Sequence, residues 1–271
     1  MTDYGQRSAM EDESMVGTLA AQAEMIWPIE KPLLQSLGLG HLRTALDFGC
    51  GTGEIAGRMA ETWPHLEILG LDIYEGHLTV AREKHPAERY PNLEFRKGDA
   101  YETGLPDGAY DAVIVRHLLH ALPDRAGVLA EARRVLVPGG LLYVLAEDYA
   151  GLLFDVDDAE AACLFHHARK GLLSRGTDLF HGRRAFREVQ AAGFQAVRAH
   201  SLLVDTDRCD RATFARMLDH WRDGYAALIA ETTGREPGEI EGWFETLAAT
   251  VRDPDRYACW LLLAVAACSP V

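Results

Sequence analysis

Three glycines at alternate positions, Gly49, Gly51 and Gly53, stand where an apolar run, Leu46-Asp47-Phe48, gives way to a helical pattern opening at Glu54. A backbone that turns sharply between strand and helix, and comes within contact distance of a ligand, needs residues without a Cβ at such points. A strand–loop–helix start of this kind also asks for parallel neighbours reached by right-handed crossovers. The following residues supply them. Short apolar runs over 44–48, 67–72, 93–97, 109–116 and 140–146 read as strands, and amphipathic stretches over 54–63, 76–85 and 126–136 read as helices. The alternation predicts a mostly parallel sheet covered on both faces.

The carboxyl third changes character. A helical stretch over 183–192 leads to a strand over 194–203, and the last apolar run, 257–267, reads as a closing strand antiparallel to it. Between them, 205–254 is mostly helical, with patterns over 211–230 and 238–251. The expected architecture is a doubly wound, Rossmann-like α/β fold with a seven-stranded sheet, parallel except for the last strand. At the amino end Met15, Leu19, Ala23, Ile26 and Trp27 fall at helical spacing, and Pro28 and Pro32 are expected to break the chain before a short helix ending at Gly38. This divides the chain into a helical cover (1–40), a ligand-binding core (41–204), a helical insertion serving as lid (205–254) and a closing strand (255–271).

Composition narrows the partners. The 271 residues carry a formal net charge of -14 with no lysine-rich stripe, so a nucleic-acid partner is not expected. The five cysteines form no closely spaced pair, and the apolar run over 257–268 is too short to span a bilayer. Residues 1–22 are polar and acidic, without the apolar stretch of a signal peptide. A reduced, cytoplasmic protein with no membrane partner is the expectation; a homodimer is left open.

Two cofactor classes use a glycine loop in this setting. Dinucleotide enzymes space the glycines G-x-G-x-x-G and seat a pyrophosphate on the helix. Here the spacing is G-x-G-x-G, and Asp47 just before it would repel a pyrophosphate while suiting the positively charged amino-acid end of S-adenosylmethionine. The segment resembles motif I of the class I S-adenosylmethionine-dependent methyltransferases, and further segments match that family in order. Leu69-Gly70-Leu71-Asp72 ends the second strand with a carboxylate, which in the family holds the ribose hydroxyls. Lys97-Gly98-Asp99-Ala100 resembles the segment whose acid contacts the adenine amino group. Tyr110 to Val115 resembles the fourth strand, and Arg134-Val135-Leu136-Val137-Pro138-Gly139-Gly140 the turn before the fifth. The resemblance covers 46–146. It implies S-adenosylmethionine as cofactor and S-adenosylhomocysteine as product, held by Asp47, Gly49, Cys50, Gly51, Asp72, Ile73, Gly98, Asp99, Ala100 and Arg116, with Tyr4 from the amino-terminal cover. Cys50 is expected as a small filler rather than a nucleophile.

Missing motifs restrict the acceptor. No D/N-P-P-Y/F tetrapeptide follows the fourth strand, so amino methylation of DNA bases is unsupported. Arg116 and His117 stand where metal-dependent O-methyltransferases place an acid, so no metal is expected, and no paired-glutamate loop of the arginine methyltransferase kind appears. A small organic acceptor remains, aromatic or natural-product-like, methylated on oxygen, nitrogen or carbon. His117, just past the fourth strand, is the candidate general base, since imidazole titrates near neutral pH. Trp27, His120, Glu147 and Trp221 are candidate acceptor contacts. Phe214, Met217, Trp221 and Tyr225 form a helical stripe that fits core packing as well as a pocket wall. Two other readings stay open: a nicotinamide-dependent oxidoreductase, against which stand the glycine spacing and the lack of a Tyr-x-x-x-Lys pair, and a non-catalytic relative that binds the cofactor.

Overall fold

The computed structural model describes residues 13–271. Tyr4, expected at the cofactor, lies outside the described residues.

In chain order the elements are helix α1 (Glu13–Ser36), strand β1 (Thr44–Phe48), α2 (Glu54–Thr62), β2 (Glu67–Asp72), α3 (Glu75–Lys84), β3 (Leu93–Lys97), β4 (Tyr110–Arg116), α4 (Arg125–Val135) and β5 (Leu136–Ala146). There follow β6 (Leu152–Phe154), α5 (Ala159–Ala162), α6 (Leu164–Ser174), α7 (Gly182–Ala191), β7 (Gln195–Asp205), α8 (Arg211–Thr233), α9 (Pro237–Arg252) and β8 (Ala258–Cys268). Strands β1 to β5 are parallel in the spatial order 3-2-1-4-5, β8 lies antiparallel on β5, and β7 lies antiparallel on the far edge of β8. The doubly wound sheet is as expected. It gains one short strand: β6 continues the β5 edge against β8, with Leu152 opposite Trp260. Three residues are too few to show an alternation in sequence.

Alternate strand residues serve two cores, which is why these strands read as unbroken apolar runs. Ala45, Ile114, Tyr143 and Leu145 face α1, α2 and the inserted helices α8 and α9, while Leu46, Phe48, Val113, Val115 and Val144 face α4 and α7.

Helix α1 departs from expectation, running unbroken through Pro28 and Pro32. A proline inside a helix costs about 3 kcal/mol, yet the residues on either side are committed to burial. Ile26, Glu30 and Leu34, four residues apart, are all fully buried, and only a continuous helix puts them on one face. Elsewhere α1 meets α8 closely: a Cβ on Gly17 would lie 2.3 Å from the His220 ring. Helix α8 is capped by Asp210, which accepts from the Thr213 N–H at 2.9 Å, and ends at Gly234 with φ 72°. Phe214, Met217 and Trp221 of its apolar stripe are buried, joined by Phe244 and Leu247 of α9.

Candidate active site

Every element of the site sits at the carboxyl ends of the parallel strands, where loops diverge and a cleft opens. Gly49 and Gly51 have φ of +68° and +54°, and a Cβ would lie 2.9 Å from Leu118 Cδ1 at the first and 2.7 Å from Leu19 Cδ1 at the second. The loop is thus glycine by both backbone angle and space. Asp72, ending β2, accepts from the Gly51 N–H at 2.8 Å through Oδ2 and from the Tyr74 N–H at 2.9 Å through Oδ1. Each oxygen keeps a lone pair for a diol. Asp99 accepts from the Tyr101 N–H at 2.9 Å. Together with Ile73, Gly98, Ala100 and Cys50 these residues line one open cleft. Cys50 is buried, and burial, with Asp72 and Asp47 nearby, raises its thiol pKa well above the usual value, which leaves it unreactive. Leu19 and Gln22 of α1 also line the cleft. They were not anticipated, although their i, i+3 spacing, one apolar and one polar, is the signal they leave in sequence.

The deep end of the cleft carries opposite charges. Asp47 is 3% exposed, and burial lifts its carboxyl to about 7 although Arg116 nearby draws it down. The Arg116 Nε meets Glu30 Oε1 of α1 at 2.8 Å, and the Tyr143 hydroxyl donates to the same oxygen at 2.9 Å. Arg116 Nη2 is buried without a hydrogen-bond partner among the described residues. A carboxylate beside an underused guanidinium suits a zwitterionic amino-acid group. Around them, Asp47, Glu54, Asp72 and Asp99 line the cleft with Arg116 as the one arginine or lysine among the lining residues. That excess of acid opposes a pyrophosphate and fits a ligand of net positive charge, so the residues present fit S-adenosylmethionine.

His117 leaves β4 in a left-handed conformation, φ +51°, and lines the cleft. Its Nδ1 bonds to Glu147 Oε1, and its ring stacks at 6.2 Å on Trp260. His120 Nδ1 lies 2.9 Å from the other oxygen of Glu147. His120 in turn lines a second, small cavity with Tyr149, Phe165, Trp221, Tyr225 and Phe244. Tyr149 is the hub of this aromatic group, 5.3 Å from Trp221 and 6.1 Å from Trp260. His117 thus lines the first cavity and His120 the second, with Glu147 in contact with both.

Two of the expected acceptor contacts are corrected. Trp27 packs edge-on against Trp63 at 6.0 Å, by the loop entering β2 and away from both cavities. Its apolar spacing marked core rather than pocket. Glu147 is 1% exposed and lines neither cavity, because both its oxygens face histidines. Among the described residues no group of His, Cys, Asp and Glu is arranged to hold a metal ion, and no helix is long and apolar enough to cross a membrane.

Comparison with known proteins agrees with this geometry. A methyltransferase-domain family model matches residues 46–144. The 27-O-demethylrifamycin SV methyltransferase of Amycolatopsis mediterranei is 38% identical over 117 residues, covering 41% of this chain and 43% of that protein. The demethylmenaquinone methyltransferase of Deinococcus radiodurans is 38% identical over 103 residues, covering 38% and 42%. The chain spans about half the length of the curated relatives it matches. Among solved structures, a Galdieria sulphuraria protein described as a sarcosine dimethylglycine methyltransferase superposes with a TM-score of 0.56 at 14% identity, covering 89% of this chain and 84% of that one. A Haemonchus contortus phosphoethanolamine N-methyltransferase, solved with S-adenosylhomocysteine, gives 0.53 at 18% identity, covering 84% and 49%. Strand order, glycine loop, strand-end acids and sequence similarity converge on residues 46–144, which match a methyltransferase-domain family of the class I S-adenosylmethionine-dependent kind.

Proposed function

We propose that this chain is an enzyme that transfers the methyl group of S-adenosylmethionine to a small aromatic or natural-product-like acceptor, on oxygen, nitrogen or carbon. The observation that carries the reading is the pairing of Asp47 with Arg116 at the deep end of the cleft, beneath a loop that only glycine can form. Asp47 would hold the cofactor's ammonium, Arg116 its carboxylate, Asp72 the ribose diol, and Asp99 with Ala100 the adenine edge. Leu19 and Gln22 of α1 cover the cleft. When bound, the cofactor supplies an electrophilic sulfonium methyl group, and the S–CH₃ bond breaks with its electron pair left on sulfur.

The acceptor is assigned to the His117 end of the cofactor cleft, next to the aromatic cluster of His120, Tyr149, Trp221 and Tyr225. Six aromatic or imidazole rings around a small volume favour a flat ring. The substrates that name the two curated relatives, a demethylated rifamycin and a demethylated menaquinone, point the same way. His117 is the proposed proton acceptor, since its Nε2 is buried without a partner and its ring lines the cofactor cleft.

Calorimetric titration with S-adenosylmethionine, S-adenosylhomocysteine and NAD tests the cofactor assignment. Micromolar binding of the first two without NAD is the expected result. Binding of NAD alone would overturn it.

A further inference from the structure

Glu147 is buried, 1% exposed, and it is held from two sides. His117 Nδ1 bonds to Oε1, while His120 Nδ1 lies 2.9 Å from Oε2, poorly aligned for a hydrogen bond but at ion-pair distance. Burial pushes the carboxyl up, yet the two imidazoles outweigh burial and keep it well below the usual carboxylate range. An ionised Glu147 accepts only, so the His117 nitrogen facing it carries the hydrogen, and in the neutral ring Nε2 then holds the lone pair. That Nε2 is buried, lacks a partner, and belongs to a ring in the cleft wall. The left-handed backbone of His117, φ +51°, is the conformation that brings the ring between Glu147 and the cleft.

A lone buried carboxylate would take up a proton and cease to orient anything. The second imidazole supplies what a single His–Glu pair lacks, a polar contact on the oxygen that His117 leaves free. His120 also lines the aromatic chamber, so the three side chains form one unit that reaches both cavities.

We propose that Glu147 and His120 are positioning residues that fix His117 in its Nδ1–H tautomer, and that the trio suits the chain to acceptors activated by loss of a hydroxyl proton, phenols or enols. The inference rests on the methyl-transfer reading above. The acceptor O–H bond breaks with both electrons left on oxygen, and the proton bonds to His117 Nε2. The imidazolium so formed is held against the Glu147 carboxylate, and the oxygen anion is the nucleophile. An amine with a free lone pair needs no such base for its attack.

The test is a long-range ¹H–¹⁵N spectrum of the ¹⁵N-histidine-labelled full chain with S-adenosylhomocysteine added. The wild-type spectrum is expected to place His117 in the Nδ1–H tautomer with a low-field ring proton. Glu147→Gln should lose that signal and expose an Nε2–H form, with cofactor affinity changed by less than threefold. His120→Asn should weaken the low-field signal without abolishing it. An Nε2–H tautomer in the wild type overturns the proposal even if the variants fold poorly. Matched hydroxy- and amino-naphthalenes and -anthraquinones, offered with methyl-labelled cofactor, test the acceptor class. Transfer at least tenfold faster to the hydroxyl members supports it, and equal transfer to amines, or transfer to none, overturns it. Loss of cofactor binding in calorimetry would sink the methyl-transfer reading separately, leaving the tautomer result to stand or fall alone.

Discussion

Glu30, in the middle of α1, meets Arg116, at the end of β4, at 2.8 Å with side chains 0% and 8% exposed. The pair ties the amino-terminal helix to the floor of the cofactor cleft, and Tyr143 supplies a second hydrogen to the same carboxylate oxygen. Removing one charge leaves the other buried and unpaired, which costs about 3–5 kcal/mol. Glu30→Gln is therefore expected to lower the unfolding free energy by about that much, shifting the denaturant midpoint down, and to weaken S-adenosylmethionine binding through Arg116. An unfolding curve that superposes on wild type would show that the pair contributes no net stability.

Asp47 predicts a pH dependence. Burial raises its carboxyl to about 7, so the folded chain keeps a proton that the unfolded chain releases near pH ~4. The stability this confers is complete below that pH and is lost as pH rises to about 7, by about 4 kcal/mol in all. A bound ammonium reverses the preference, favouring the ionised carboxylate and expelling the proton. Cofactor affinity should therefore rise with pH, by up to about tenfold per unit below 7, and level off above. Calorimetry in two buffers of different ionisation enthalpy reads the released proton. Asp47→Asn should bind weakly with a flat profile over the same range, and an unchanged slope would remove Asp47 from the ammonium site.

The sheet and the cofactor side of the cleft were legible because they rest on local signals. Strand–loop–helix order and glycines with positive φ leave a fixed spacing, and Asp47, Gly49, Gly51, Asp72, Asp99 and Arg116 all line one cleft. What was not legible depends on distant partners. Glu30 is 86 positions from Arg116 and 113 from Tyr143, and without those partners a glutamate between two prolines reads as exposed. The same holds for Glu147, whose role is set by two histidines around 30 positions earlier. Pro28 and Pro32 carried a true local preference that tertiary burial overrode. Trp27 was misplaced because an apolar helical position does not say which end of the sheet it packs against.

Asp72 serves the loop as well as the ligand. Replacing it by alanine leaves the Gly51 and Tyr74 N–H groups without their acceptor and removes the ribose contact. Asp72→Ala is expected to weaken S-adenosylhomocysteine binding at least tenfold, about 1.4 kcal/mol, and to lower the unfolding midpoint. Asp72→Asn keeps one acceptor oxygen and should fall between. Equal affinity in alanine variant and wild type would overturn the ribose assignment.

The seating of α1 on the glycine loop can be tested by a double-mutant cycle. A Cβ on Gly51 would come within 2.7 Å of Leu19 Cδ1, on a backbone of φ +54°. Gly51→Ala thus meets two penalties of different origin. The left-handed backbone costs about 1–2 kcal/mol whatever the neighbours, while the clash is with the end of a flexible side chain and depends on Leu19. Leu19→Ala should therefore recover part of the cofactor affinity lost in Gly51→Ala, and the two changes should couple by about 0.5–3 kcal/mol. The residual loss in the double variant measures the backbone strain alone. Strict additivity would mean that α1 does not rest on the loop in solution, and Leu19 would then have no part in covering the cofactor.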